Sequence, residues 1–186
     1  TNAGQTRYHR SVSKKGQVSG GYHFGAVALF VLLHLAVVAV LFVPATPRLL
    51  LWLAATYSLR VFGVTAGYHR YFSHRSYRLG RVAQFLMAFL AQTSAQKGVL
   101  WWAAQHRDHH RYSDREQDIH SPRQRGFWWA HVGWVLSNEH DSYDPKRVAD
   151  MARFPELRWL DRYHWVPTVV FAACILMAGG VGAFVW

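Results

Sequence analysis

The chain is short of thiols and of acids, and each shortage excludes something. It has one cysteine in 186 residues, and Cys174 lies inside an apolar run. No internal disulfide framework is possible, and a lone thiol argues against a thiolate metal site; Cys174 reads as a small packing residue. Asp and Glu number 10 against 21 Lys and Arg, and every acid falls between Asp108 and Asp161. No internal repeat and no low-complexity tract is present. Polar surface is scarce as well: 51% of the residues are hydrophobic and 16% aromatic, with nine Trp. The length suits one domain, yet the near-zero mean hydropathy only averages very apolar with very basic segments. A soluble domain is not expected.

The formal net charge is +11, and its placement matters more than its size. Residues 1–23 hold Arg7, Arg10, Lys14 and Lys15 without an acid. A signal peptide would begin in this way, but the apolar span that follows is too long and lacks an A-x-A cleavage site. Nucleic-acid binding is not expected, because the basic residues flank apolar spans and no binding motif appears. Positive-inside charge fits better.

The sequence predicts an all-α integral membrane protein. A first span runs from Phe24 to Val43, about the 20 residues that a bilayer core of about 30 Å requires. His34 within it is a packing or hydrogen-bonding residue before it is a ligand. Pro44 and Pro47 mark a turn, and Leu49 to Ala66 forms a second span interrupted by Arg60, which must face protein, water or a headgroup. Residues 82–100 read as one amphipathic interfacial helix, diluted by Gln84, Gln92, Thr93, Ser94, Gln96 and Lys97. The Trp-rich stretch from Gly126 to Leu136 is too short to cross and suits the interface. A third span runs from Trp165 to Trp186. The expected division is a basic cytosolic arm (1–23), a transmembrane hairpin (24–66), a cytosolic and interfacial region (67–164) and a third transmembrane helix (165–186).

Five histidines stand in two groups just beyond apolar stretches: His69 and His74 as HxxxxH, and His106, His109 and His110 as HxxHH. Imidazole is a borderline ligand for iron, copper, nickel and zinc. Five exceed what one structural zinc site needs, so the pattern points to a redox metal centre at a membrane surface. On an α-helix the i, i+3 and i+4 positions of the second group share a face. The i, i+5 spacing of the first is about 140° around an ideal helix, poor for one metal unless the helix ends between Tyr71 and Ser73. Interfacial histidines binding lipid phosphate are the plainer alternative. His120 is open between a partner orienting an imidazole and a headgroup contact, and Asp108 and Asp118 are candidates to orient imidazoles.

Around these groups the chain resembles the membrane fatty acyl desaturases, most of all the acyl-CoA Δ9 (stearoyl-CoA) type in its bacterial form. The resemblance rests on the segments around His69 and His74, from Trp101 to Asp114, and from Asp118 to Trp134, which contains RGFWWAHVGW. It implies a four-span enzyme with a cytosolic di-iron centre that uses O2 and two electrons to place a cis double bond in a saturated acyl chain. It implies that His69, His74, His106, His109 and His110 are iron ligands, and that Gln96 and Trp102 lie near the acyl tunnel. Acyl-CoA is the expected substrate. Ala104 and Gln105 depart from the Arg-Asp of animal acyl-CoA enzymes, so an acyl chain on phospholipid or carrier protein stays open. Membrane lipid and a cytochrome b5-like or ferredoxin-like donor with its reductase are the other implied partners, at a bacterial inner membrane with the histidine groups and the N-terminus cytoplasmic. The family has a fourth span and a third box of HxxHH type, and none follows His110. The chain is thus expected to be an incomplete desaturase domain, inactive alone. The rival readings are a related di-iron hydroxylase and a non-catalytic membrane metal-binding fragment.

Overall fold

The computed structural model describes residues 21–186, so the basic arm, apart from its last three residues, lies outside the described part. The described residues are helical, with no strand beyond an isolated bridge between Tyr22 and Ser137. Three helices are long and apolar enough to cross a membrane: Phe24–Phe42, Pro47–Ser73 and Trp165–Val185. The first consists of α1 (Phe24–Ala36) and a 3-10 turn over Val37–Phe42. It is apolar on every face, with Leu32, Leu33 and Leu41 exposed, as suits a helix solvated by lipid rather than water. His34 is satisfied within its own helix, its Nδ1 2.7 Å from the Phe30 carbonyl oxygen. Thr46 caps α2 (Pro47–Phe62) by accepting from the Leu49 amide, and Pro47 supplies the first helical residue, where its missing N–H costs nothing.

The second span does not stop near Ala66. It continues as a π-helix over Gly63–Ser73, giving 27 residues without a break, so His69 stands on the membrane helix itself and His74 is its C-cap residue. Gly63 and Gly67 let α3 (Arg81–Gln92) approach closely: a Cβ on Gly63 would lie 3.0 Å from the Ala91 Cα, and one on Gly67 3.2 Å from the Met87 side chain. Tyr68, Tyr71 and Phe72 on the same segment are buried with Ala88 and Ala91.

The expected single helix over 82–100 is two elements. α3 ends at Gln92, the chain turns with Ala95 and Lys97 at φ of 61° and 71°, and α4 (Val99–Tyr112) begins beyond Gly98. Two short helices, α5 (Pro122–Arg125) and α6 (Trp134–Leu136), flank a π-turn at Trp129–Gly133 within the Trp-rich stretch. Then α7 (Ala149–Ala152) and α8 (Pro155–Arg162) pack beneath α4 and lead into α9 (Trp165–Val185). Val99, Leu100, Val148, Met151, Leu157 and Leu160 form their shared core.

The N-terminus of α4 is capped from outside its own chain segment. Asp161 Oδ1 accepts from the amides of Leu100 and Trp101 at 2.8 and 2.9 Å, and Gln92 Oε1 accepts from Val99 at 3.1 Å. Burial pushes the Asp161 carboxyl up, against these backbone hydrogen bonds and the one that the Tyr143 hydroxyl donates at 2.9 Å. Gly98 is required here, because a Cβ would fall on Asp161. Replacing Asp161 with Ala leaves two amides at a buried helix end without acceptors, so we expect a loss of about 2–4 kcal/mol. The thermal unfolding midpoint of the detergent-solubilised protein measures it, and an unchanged midpoint would show that the cap does not matter.

Candidate metal centre

The π-helix solves the spacing of the first pair. Its i→i+5 bonding appears here as the His74 amide donating to the His69 carbonyl at 3.1 Å, and the Ser73 hydroxyl donates to the Tyr68 carbonyl at 2.8 Å. Residues five apart therefore share a face, and the two rings lie 4.5 Å apart. The helix ends at Ser73, inside the Tyr71–Ser73 window, but the widened period rather than unwinding brings the rings together.

α4 supplies the second group. His69, His74, His106 and His110 each offer a ring nitrogen, all within 4.8 Å of one another. Nε2 of His106 is 3.3 Å from that of His74 and 3.0 Å from that of His110. Two nitrogens bound to one ion at about 2.1 Å are separated by about 3.0 Å at a right angle and about 3.4 Å at a tetrahedral one. The observed spacings match that range, so the donor set fits a first-row transition metal.

The fifth histidine is not with the other four. His109 turns away from His106, their rings 6.2 Å apart, and stacks on His120 at 4.1 Å. Its Nδ1 lies 3.0 Å from Asp118. The Asp118 side chain is fully buried and also accepts from the amides of Asp114 and His120. Burial raises its pKa, but the hydrogen bonds from His109 and these two amides outweigh burial and hold it below the usual carboxylate range. An ionised Asp118 places the proton of His109 on Nδ1 and leaves Nε2 as the free donor atom. His109, Asp118 and His120 form a second group able to hold an ion, although the carboxylate is already committed to hydrogen bonds.

The electrostatics favour the neutral form of two of the four, His106 and His74. Burial, with His110 and the other three imidazoles, pushes His106 down to about 3. Burial and then His69 and His110 lower His74 as well. Neutral imidazole is the ligating form. Burial also lowers His120, with His109 adding to it.

Trp102 lies between Tyr68 and His106, stacked at 5.0 and 4.7 Å, and its indole N–H donates to Gln96 at 3.2 Å. Both residues thus adjoin the cluster. Asp108, by contrast, does not reach an imidazole: it pairs with Arg147 at 2.8 Å on the outer side of α4, and the orienting role falls to Asp118 alone of the two. Relative to His106, Arg107 lies about 100° and Asp108 about 200° around the helix, which carries both away from the face shared by His106 and His110. Arg107 proves central nonetheless. It donates to the carbonyls of Phe72, Ser73 and Arg147 at 2.6, 3.1 and 2.6 Å and pairs with Asp150 at 2.8 Å. The sequence signal for it was only its place inside HxxHH. For Asp161 it was an acid continuing the Leu157 and Leu160 face of α8.

The sequence profile of the family described as fatty acid desaturase matches residues 46–186. Stearoyl-CoA desaturase 5 of Homo sapiens is 35% identical over 166 residues, 86% of this chain and 49% of that protein. The sn-1 stearoyl-lipid 9-desaturase of Anabaena variabilis is 29% identical over 167 residues, 89% and 58% of the two chains. Stearoyl-CoA desaturase of Sus scrofa is 35% identical over 162 residues, 83% and 44%. The chain spans about half the length of the curated relatives it matches.

Two outcomes follow from this geometry. Titrated with Co2+ and followed by its visible spectrum, His106→Ala should lose the first equivalent, whereas His109→Ala should keep it. Asp118→Asn should weaken a second equivalent by about 10–100-fold. Loss of the first equivalent in His109→Ala would mean that all five imidazoles surround one ion. The second outcome concerns acid. Burial raises Asp150, but the hydrogen bond and charge of Arg107, with Arg75, bring it below its ordinary value. A depressed carboxylate contributes stability above its unfolded pKa of about 3.9 and loses it as the pH falls through the folded value. The wild-type unfolding midpoint should therefore fall more between pH 5 and pH 3 than that of Asp150→Asn; parallel falls would show that the pair is not coupled to folding.

Proposed function

The chain belongs to the fatty acid desaturase family, and on that premise we propose that it contributes the metal-binding part of an O2-dependent Δ9 acyl desaturase. The convergence of four imidazoles, with nitrogen spacings of 3.0 and 3.3 Å, carries the reading. His69, His74, His106 and His110 would hold one iron, and His109, oriented by Asp118, would offer Nε2 to a second. Iron bound there supplies the oxidising power to remove hydrogen from an unactivated methylene pair. Overall, O2, two electrons and two protons, with the two hydrogens of the acyl chain, leave as two waters and a cis double bond remains.

The residues of this chain have four tasks in that scheme. The imidazoles bind metal through nitrogen, which is not readily oxidised as a thiolate would be. Asp118 fixes one imidazole in its tautomer. Trp102 and Gln96 form a wall beside His106 along which an acyl chain would lie, and a fixed chain is needed because the reacting carbons have no polar handle. Arg and Lys on the histidine-bearing side would hold a charged headgroup and face an acidic electron donor, cytochrome b5-like or ferredoxin-like. The same charges support a cytoplasmic placing of that side, at the inner membrane if the source is bacterial. Acyl-CoA is the proposed substrate. The similarity to a stearoyl-lipid 9-desaturase favours acyl-lipid as the second reading.

The test is the full-length protein with saturated acyl-CoA and acyl-lipid, O2 and a reducing system. The expected product has lost two hydrogens, with the double bond at carbon 9, and formation should stop in His106→Ala. A product heavier by one oxygen would identify a hydroxylase, and purified active protein carrying zinc alone would overturn the iron assignment.

A further inference from the structure

Three exposed arginines stand just ahead of the third membrane-length helix. Arg153 follows α7, and Arg158 and Arg162 lie four residues apart on one face of α8. None of them makes an ion pair among the described residues. The two acids of α8 are engaged elsewhere: Glu156 takes Arg81 in bidentate geometry at 2.7 and 2.9 Å, and Asp161 caps α4. Like charges at i, i+4 repel, so an anion between Arg158 and Arg162 would be favoured. Arg153 and Arg162 lie over the rings of Phe154 and Tyr163 at 4.8 and 5.5 Å, which leaves the N–H donors at the guanidinium edge free. Arg158 spends one donor on the Ala152 carbonyl at 2.7 Å, and this turns it toward the end of α7, where Arg153 follows.

The depth of this face follows from its aromatic residues. Trp159, Tyr163 and Trp165 are 47%, 37% and 56% exposed, and Trp165 opens the span itself; exposed Trp and Tyr beside a span settle at headgroup level. α3 lies alongside α8, tied by Arg81 to Glu156 at one end and by the Gln92 amide to the Leu160 carbonyl at the other. Its 12 residues are too few to cross, yet Val82 and Leu86 are 73% and 59% exposed, as suits a helix lying in the interface. We propose that this face of α8 binds the phosphate of an anionic membrane phospholipid. Arg158 and Arg162 are its counter-ions, since guanidinium matches phosphate in bidentate geometry. Arg153 adds a third charge, and Trp159 and Tyr163 meet the glycerol and first methylenes. A soluble electron donor would need charges clear of the bilayer, whereas these stand among residues held at the headgroups. Asp161 joins α8 to α4 at Leu100, and His106 lies six residues, roughly 9 Å, further along α4. The site therefore stands apart from the imidazole cluster and does not rest on the metal reading.

The experiment is native mass spectrometry of the full-length protein, delipidated in maltoside micelles and titrated with phosphatidylglycerol or phosphatidylcholine. Phosphatidylglycerol should bind about tenfold or more tightly than phosphatidylcholine, and neither coenzyme A nor inorganic phosphate should displace it. Replacing Arg158 and Arg162 together by Gln should weaken phosphatidylglycerol about tenfold or more. Replacing both by Lys should retain most of the binding, and Arg115→Gln, an exposed arginine elsewhere, should leave it unchanged. If the Gln pair does not fold, phosphatidylglycerol with a photoreactive headgroup decides the matter on the wild type: its crosslinks should fall within residues 153–165. Equal affinity for phosphatidylcholine, displacement by coenzyme A or phosphate, wild-type affinity in the Gln pair, or crosslinks confined to other segments would overturn the proposal.

Discussion

The guanidinium of Arg107 joins the two histidine-bearing helices. A helix that ends in the interior leaves carbonyls without partners, and the segment that carries His69 ends at Ser73 under α4. Arg107 fills that end, donating to the Phe72 and Ser73 carbonyls while it holds the Arg147 carbonyl and the Asp150 carboxylate. Hydrogen bonds from a charged donor contribute about 1.5–3 kcal/mol each, and a cation at a helix C-terminus also opposes the helix dipole. Because Arg107 is the neighbour of His106, the same side chain that closes one helix sets the depth of the other. Without Asp150 the guanidinium would be a half-buried charge lacking its counter-ion.

Order in the cluster is therefore built in from three sides. Gly63 and Gly67 seat the π-helix on α3, Asp161 and Gln92 start α4 at Val99, and Arg107 ties the helix ends together. Trp102 then holds the His106 ring flat against an indole that is itself backed by Tyr68. His109 is fixed separately, by a buried carboxylate. The result is four imidazoles directed to one point and a fifth directed elsewhere, although three of the five come from a single short motif.

The spans, the five histidines and the family resemblance were legible because each depends on residue type and short-range spacing. Apolar length marks a span, and imidazoles so grouped have few other uses. The division of 82–100 was not legible, since its turn puts Ala95 and Lys97 at positive φ rather than a glycine or asparagine, which would have marked it. The division of labour among the histidines was hidden for another reason. The 140° objection to HxxxxH assumed an α-helix, and no residue preference distinguishes a π-helix in advance. Asp108 and Asp118 looked alike as acids near a histidine box, but only tertiary packing places one against Arg147 and the other against His109. Arg107 and Asp161 act between segments far apart in sequence, and local pattern does not encode such pairs.

A π-helix can be regarded as an α-helix that has absorbed extra residues, and this gives the first histidine pair an unusual relation to insertion and deletion. Removing one residue between His69 and His74 would yield an i, i+4 pair, which an ordinary α-helix also presents on one face. The pairing of the two rings would survive such a deletion, but Gly63 and Gly67 would rotate relative to it and α3 would meet side chains where it now meets none. The five-residue spacing is thus less a demand of the metal than a record of how the helix was fitted to its neighbour.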